Sequence, residues 1–221
     1  MLQLALLSLF ACGPRVPKHA NMLAIGDSIL AAHAKAGASI PHVAAARTGH
    51  VVHNVAINGA ELLEGGAIRA IPLQRVAGKW DWLVMNGGGN DLNGRCGCGD
   101  CRAVLDQQIS ADATSGALVD IVKEAVASGT RVLFMGYPEL PPGARFGFDR
   151  CDDILVEQKS RIATLARNTP QLWFVDAADV IDAADLQLFV EDRVHPNREG
   201  SRVMGEYIAK TIESADESDP D

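Results

Sequence analysis

Three short apolar runs in the chain each stop at a polar, glycine-bearing turn. Met22 to Ile25 runs into Gly26-Asp27-Ser28, Val51 to Ile57 into Asn58-Gly59, and Asp81 to Met85 into Asn86-Gly-Gly-Gly-Asn-Asp91. Apolar runs of this length, bounded by turn residues, read as buried strands. Two more follow, Arg131 to Met135 and Leu172 to Val175. Between and around them lie stretches that favour helix: Ile29 to Ala36, Pro41 to Arg47, Ala67 to Val76, Ala103 to Ser128, Asp152 to Arg167 and Asn197 to Ile212. The Gly- and Cys-rich stretch that follows Asp91, up to Cys101, and Gly136 to Arg150 with its prolines and glycines, read as loops. Strand alternating with helix predicts an α/β domain whose central five-stranded sheet is mostly parallel, with helices on both faces. In such sheets ligands bind beyond the carboxyl ends of the strands. The three polar turns are therefore expected to share one pocket.

Those turns hold the parts that acyl transfer requires. A serine hydroxyl is a poor nucleophile until a base takes its proton. Imidazole suits that task, because its pKa lies near operating pH. A carboxylate on the far side of the ring fixes its tautomer and stabilises the imidazolium. Backbone N–H groups of glycine turns and an Asn side chain can then bind the oxyanion. Ser28 stands after the first strand, and Asp192 precedes His195 by three residues near the last helix.

Four blocks in order carry a resemblance. Gly26-Asp27-Ser28, Asn58-Gly59, Gly88-Gly89-Asn90-Asp91 and Asp192-Arg-Val-His195-Pro196-Asn197 together resemble the sequence blocks of the SGNH/GDSL hydrolase family. The resemblance spans Gly26 to Asn197, and it implies a flavodoxin-like three-layer α/β/α sandwich. It also implies a serine ester hydrolase with Ser28 as nucleophile, His195 as base and Asp192 as its orienting acid. The oxyanion donors would be the backbone N–H groups of Ser28 and Gly59 and the side chain of Asn90. No metal or organic cofactor is expected. The substrate would be a small-molecule or glycan ester. Ile29 stands where the family usually has Leu, and the cysteine cluster after Asp91 lies outside the general pattern. The cluster is placed to roof the pocket.

Each residue also has a plainer reading. Ser28 could cap the following helix, and His195 could be a loop histidine. Asp27 and Asp91 are expected to support their turns by hydrogen bonds. His33, a helical turn or so past Ser28, is the other histidine expected near the pocket; His19, His42, His50 and His53 read as surface or filler. Trp80, Trp82 and Trp173 are expected in the core, and Tyr137, Phe146 and Phe148 could line an acyl pocket.

Composition excludes some partners. The formal net charge is −8 and no Lys/Arg cluster is present, so nucleic acid is not an expected partner. Residues 1–20 read as a leader and linker: the run from Met1 to Ala11 is apolar and uncharged. It is shorter than the roughly 20 residues a membrane span takes, and fits an export signal. Leu9-Phe-Ala-Cys12 is similar to a lipobox, so a lipidated Cys12 could anchor the chain to a membrane, with the protein in the periplasm or at the cell surface. Residues 21–212 would form the hydrolase domain, and 213–221 an acidic disordered tail. Cys96, Cys98, Cys101 and Cys151 make an even set, which in an exported chain suggests disulfides of open pairing. A zinc site on the same thiols is the competing reading. Two alternatives stand beside this: an O-acyltransferase acting on a glycan, for which the motifs would be the same, and a catalytically silent cell-surface binding protein with a zinc- or disulfide-bearing Cys loop, against which the intact Ser28, Asn90, Asp192 and His195 argue.

Overall fold

The computed structural model describes residues 15–64 and 70–218. The expected leader up to Pro14, with Cys12, lies outside the described residues. The core is one sheet of five strands: β1 (Met22–Ile25), β2 (Val52–Asn54), β3 (Trp82–Met85), β4 (Arg131–Gly136) and β5 (Leu172–Asp176). Their order is β2-β1-β3-β4-β5 and every pairing is parallel. This is the flavodoxin-like order, in which the chain reverses its direction of travel across the sheet at β1. Both faces of β1 and β3 are buried, which is why these strands read as unbroken apolar runs rather than alternating ones.

Helices α1 (Ser28–Ala31), α2 (Ile40–Thr48) and α7 (Arg198–Ser218) pack together as one layer. The layer that connects β3, β4 and β5 holds α4 (Arg102–Gln108), α5 (Ala117–Ala127) and α6 (Asp152–Asn168). There Arg161 of α6 donates to Asp106 at 2.6 Å and to the Ile109 carbonyl at 2.8 Å.

Several expected elements differ. The single helix expected over Ala103 to Ser128 is two, α4 and α5. Ser110 and Asp112 accept from the Thr114 N–H, and Ser110 also from the Ser115 N–H, at 3.1–3.2 Å. Such side chains offer the backbone a local alternative to helix. The stretch after Asp91 is not all loop: α3 runs Gly89–Cys96. The helix expected over Ala67 to Val76 falls partly on residues outside the description, and Ile71–Gln74 forms a 3₁₀ turn.

The tail expected from Glu213 is helical to Ser218. Ile208, Ile212 and Ala215 are buried along one stripe, so the apolar face outlasts the point where the acidic residues begin. Asp216 accepts from Arg131 Nη1 at 2.7 Å and from Trp82 Nε1 at 3.2 Å. Residues 219–221 lie outside the description.

The cysteines form two disulfides, Cys96–Cys101 and Cys98–Cys151. All four sulfurs are thereby used, and none of these four is left as a thiolate for zinc. Cys98–Cys151 ties the segment after α3 to the start of α6 across 53 residues, against 5 for Cys96–Cys101. Loop-closure entropy gives roughly 4 kcal/mol for the first and roughly 2 kcal/mol for the second. Urea unfolding of Cys98→Ala/Cys151→Ala is expected to show the larger loss of stability than Cys96→Ala/Cys101→Ala. Equal losses would refute the chain-entropy account.

Candidate active site

Gly26-Asp27-Ser28 turns the chain from β1 into α1, held by buried polar side chains from elsewhere in the chain. Gln74 Oε1 accepts from the Gly26 N–H at 2.7 Å, and its Nε2 donates to the Gly26 carbonyl at 2.9 Å. Asn86, at the end of β3, accepts from the Asp27 N–H at 3.1 Å and donates to Asp27 Oδ1 at 2.8 Å. The approach is close enough that a Cβ on Gly26 would sit 2.0 Å from Asn86 Oδ1. Only glycine fits there.

Asp27 Oδ1 also accepts from the Ile29 N–H at 3.0 Å, capping α1. Its Oδ2 accepts from the Tyr137 hydroxyl, which in turn accepts from the Gly89 N–H at 3.0 Å. Burial pushes the Asp27 carboxyl up, and the bonds from Tyr137, Ile29 and Asn86 offset part of that. The cap is thus Asp27 and not Ser28, which leaves the Ser28 hydroxyl free of that duty.

Ser28 Oγ lies 2.7 Å from His195 Nε2, and His195 Nδ1 lies 2.8 Å from Asp192 Oδ2. Asp192 Oδ1 accepts from the N–H groups of Val194 at 2.9 Å and His195 at 3.0 Å. Burial alone would raise the Asp192 carboxyl. The bonds from the His195 backbone and ring and from Val194 outweigh it and hold the group below its ordinary value. An ionised carboxylate only accepts, so in the neutral ring the hydrogen sits on Nδ1, which leaves Nε2 to face Ser28 with its lone pair.

The segment bearing His195 is fastened on both sides. The Val190 N–H donates to the His195 carbonyl at 2.9 Å, and Asn197 accepts from the Glu199 and Gly200 N–H groups at the start of α7. His33 Nε2 lies 3.2 Å from the carbonyl of Pro196, the residue after His195.

Ser28, Gly59, Asn90 and His195 line one open groove of about 390 Å³. Gly59 has φ +71°, in the left-handed region that favours glycine. Asn90 Nδ2 donates to the Ala60 carbonyl at 2.9 Å, tying α3 to the Gly59 turn. An amide nitrogen has two hydrogens, so one is left over. Asp91 turns inward, fully buried, and accepts from the Leu62 and Leu63 N–H groups at 2.7 and 2.8 Å. Burial pushes its carboxyl up to about 6 against the pull of those two bonds. Phe146 stands 66 % exposed at the groove, its ring centroid 6.5 Å from that of His195.

Ser28, His195 and Asp192 thus stand in one hydrogen-bonded row, and Gly59 and Asn90 line the same groove as Ser28 and His195. The supports Gln74, Asn86 and Tyr137, as hydrogen-bond partners of the first turn, were not foreseen. Asn86 and Tyr137 each follow directly on a strand, and that shared position was the one available signal.

A site of this kind on a flavodoxin-like sheet defines a hydrolase-type α/β protein. The sequence matches the GDSL-like lipase/acylhydrolase family over residues 24–203, and the chain belongs to that family, whose general activity is hydrolysis of ester bonds. No functionally curated protein matches it in sequence. Among solved structures, it is similar to the aryl esterase of M. smegmatis, at 16% identity and TM-score 0.61, covering 88% of this chain and 99% of that one. A carbohydrate esterase family 2 enzyme from Corynascus thermopiles gives 20% identity and TM-score 0.62, covering 92% and 68%. A member of the lipolytic G-D-S-L family from Veillonella parvula gives 16% and 0.63, covering 87% and 97%. At these identities the likeness is one of fold.

Proposed function

We propose that the protein cleaves carboxylic esters through an acyl-enzyme on Ser28. Ser28 Oγ attacks the carbonyl carbon while His195 Nε2 takes its proton. The tetrahedral oxyanion is held by the Ser28 and Gly59 N–H groups and the second hydrogen of Asn90. The ester C–O bond then breaks, the acyl group stays on Ser28, and His195 returns the proton to the leaving alkoxide. Water repeats the sequence to release the acid. The observation that carries this reading is the unbroken row from Ser28 Oγ through His195 to Asp192, with contacts of 2.7 and 2.8 Å.

The alcohol would lie in the open groove, whose lining of Asn58, Asn93 and Phe146 suits a hydroxyl-rich alcohol such as a glycan: amides for hydrogen bonds, a ring face for apolar contact. Ser28 and His195 are only part-buried, so water can reach the acyl-enzyme. That favours hydrolysis over transfer to a sugar. Two disulfides suit an oxidising compartment outside the cytoplasm; a lipid anchor on Cys12 is part of the same proposal.

A serine-reactive fluorophosphonate is expected to label the native protein at one residue, with the adduct mapped to the Ser28 peptide by mass spectrometry. Absence of labelling, with the fold intact, would favour a binding protein that has lost turnover.

A further inference from the structure

Beside Ser28 a second, much smaller space opens away from the groove. It shares Ser28, Asn90 and Phe148 with the groove. Its far side is made by Tyr137, Pro138, Leu140 and Leu155. The recess encloses about 20 Å³, little more than the roughly 10–15 Å³ needed to hold one water molecule. Its lining is mainly apolar apart from the nucleophile and its neighbours. Behind it, the same Tyr137, Pro138, Leu140 and Leu155 form one wall of an outer cleft of about 270 Å³, which Glu139, Asp152 and Lys159 make polar. These four residues are thus a septum between the recess at the nucleophile and a space large enough for several carbons.

Resting on the assignment of Ser28 as nucleophile, we infer that this recess receives the acyl group and that Leu140 and Leu155 set its length, making the enzyme selective for acetyl and similarly short esters. When Ser28 attacks, the carbonyl substituents lie on opposite sides of the reacting carbon. The groove of about 390 Å³ accepts the alcohol, and the recess takes what remains. A recess with room for about one water molecule also takes a methyl group, which is of similar size; a longer chain meets the two leucines. Tyr137 cannot yield, because its hydroxyl is bonded to Asp27 and to the Gly89 N–H. Pro138 is backbone-constrained. Leu140, half-buried in the loop after β4, and Leu155, buried on α6, are therefore the adjustable part of the wall. Phe148 precedes Cys151, and the Cys98–Cys151 bridge holds that side in place.

The test is kcat/KM on p-nitrophenyl acetate, butyrate and hexanoate, so that the leaving group stays constant, for the wild type, Leu155→Ala and Leu140→Ala. The wild type is expected to lose about tenfold or more per step of chain length, the scale on which a filled pocket rejects extra methylenes. Each truncation joins recess and cleft, and is expected to raise the hexanoate-to-acetate ratio about tenfold or more. Leu140→Ala is the safeguard if the buried Leu155→Ala fails to fold. A wild type that cleaves hexanoate as well as acetate, or folded variants with the wild-type profile, would overturn the inference while leaving Ser28 labelling intact. If no ester is cleaved and the fluorophosphonate does not label Ser28, the nucleophile assignment itself fails and takes this inference with it.

Discussion

Ser28→Ala is expected to lower kcat on p-nitrophenyl acetate by about 10⁴- to 10⁶-fold, the scale seen when a serine nucleophile is removed, while the protein stays folded. Both halves follow from the local structure. Attack requires an oxygen whose proton His195 can take, and Ala supplies none; what survives is the weaker contribution of oxyanion donors and binding. The fold has little stake in the hydroxyl. The side-chain cap of α1 is Asp27, bonded to the Ile29 N–H at 3.0 Å, and the partner of Ser28 Oγ is the part-buried ring of His195. A single such bond is worth about 1 kcal/mol, or some 2–4 °C in Tm for a domain of this size. Thermal unfolding of the variant should stay within that range. Retained turnover in a sample free of contaminating esterase would remove Ser28 from the mechanism. A large drop in Tm would mean that the serine is structural after all.

The sequence was legible where one local rule governed. The five strands read correctly because each is an apolar run set in the sheet's interior, and the rim turns read correctly because polar, glycine-bearing residues follow those runs. Ser28, Asn90, Asp192 and His195 could be proposed on the same ground, because acyl-transfer chemistry calls for their types at strand ends and before a helix. Elsewhere tertiary contacts decided. Gly89–Cys96 looked like a turn running into a loop, yet α3 forms there, with Asp91 bonded to Leu62 and Leu63 and Asn90 to Ala60. These are partners about 30 residues away, which no short window reveals. The pairing of the four cysteines had three solutions of equal standing until the chain brought Cys151 against Cys98. The buried pair Gln108 and Gln158, bonded to each other at 2.7 Å and to the Gly88 and Gly87 carbonyls, supports the third turn from two different helices and leaves no trace in composition. The septum of Leu140 and Leu155 is of the same kind. Each leucine is ordinary in sequence, and only its place in the recess beside Ser28 sets it apart.

Asp192→Asn is expected to cost about 10⁴-fold in kcat, more than the loss of one charge near an imidazole would suggest, because the amide has only one way to fit. Oδ1 of Asp192 accepts two backbone N–H bonds, from Val194 and His195. In the variant the carbonyl oxygen must keep that place, since an NH₂ group there would face two donors. The NH₂ is thereby directed at the position of Oδ2, which faces His195 Nδ1 at 2.8 Å. Nδ1 must then accept, the ring hydrogen moves to Nε2, and Nε2 points a hydrogen at Ser28 Oγ instead of a lone pair. The base is present, correctly placed, and in the wrong tautomer. Nitrogen-15 NMR of the imidazole should show the hydrogen on Nε2 in the variant and on Nδ1 in the wild type, with Tm nearly unchanged because the backbone bonds survive. An Asp192→Asn enzyme within tenfold of wild type would mean that Asp192 does not govern the tautomer, and that His195 is oriented by its backbone ties alone.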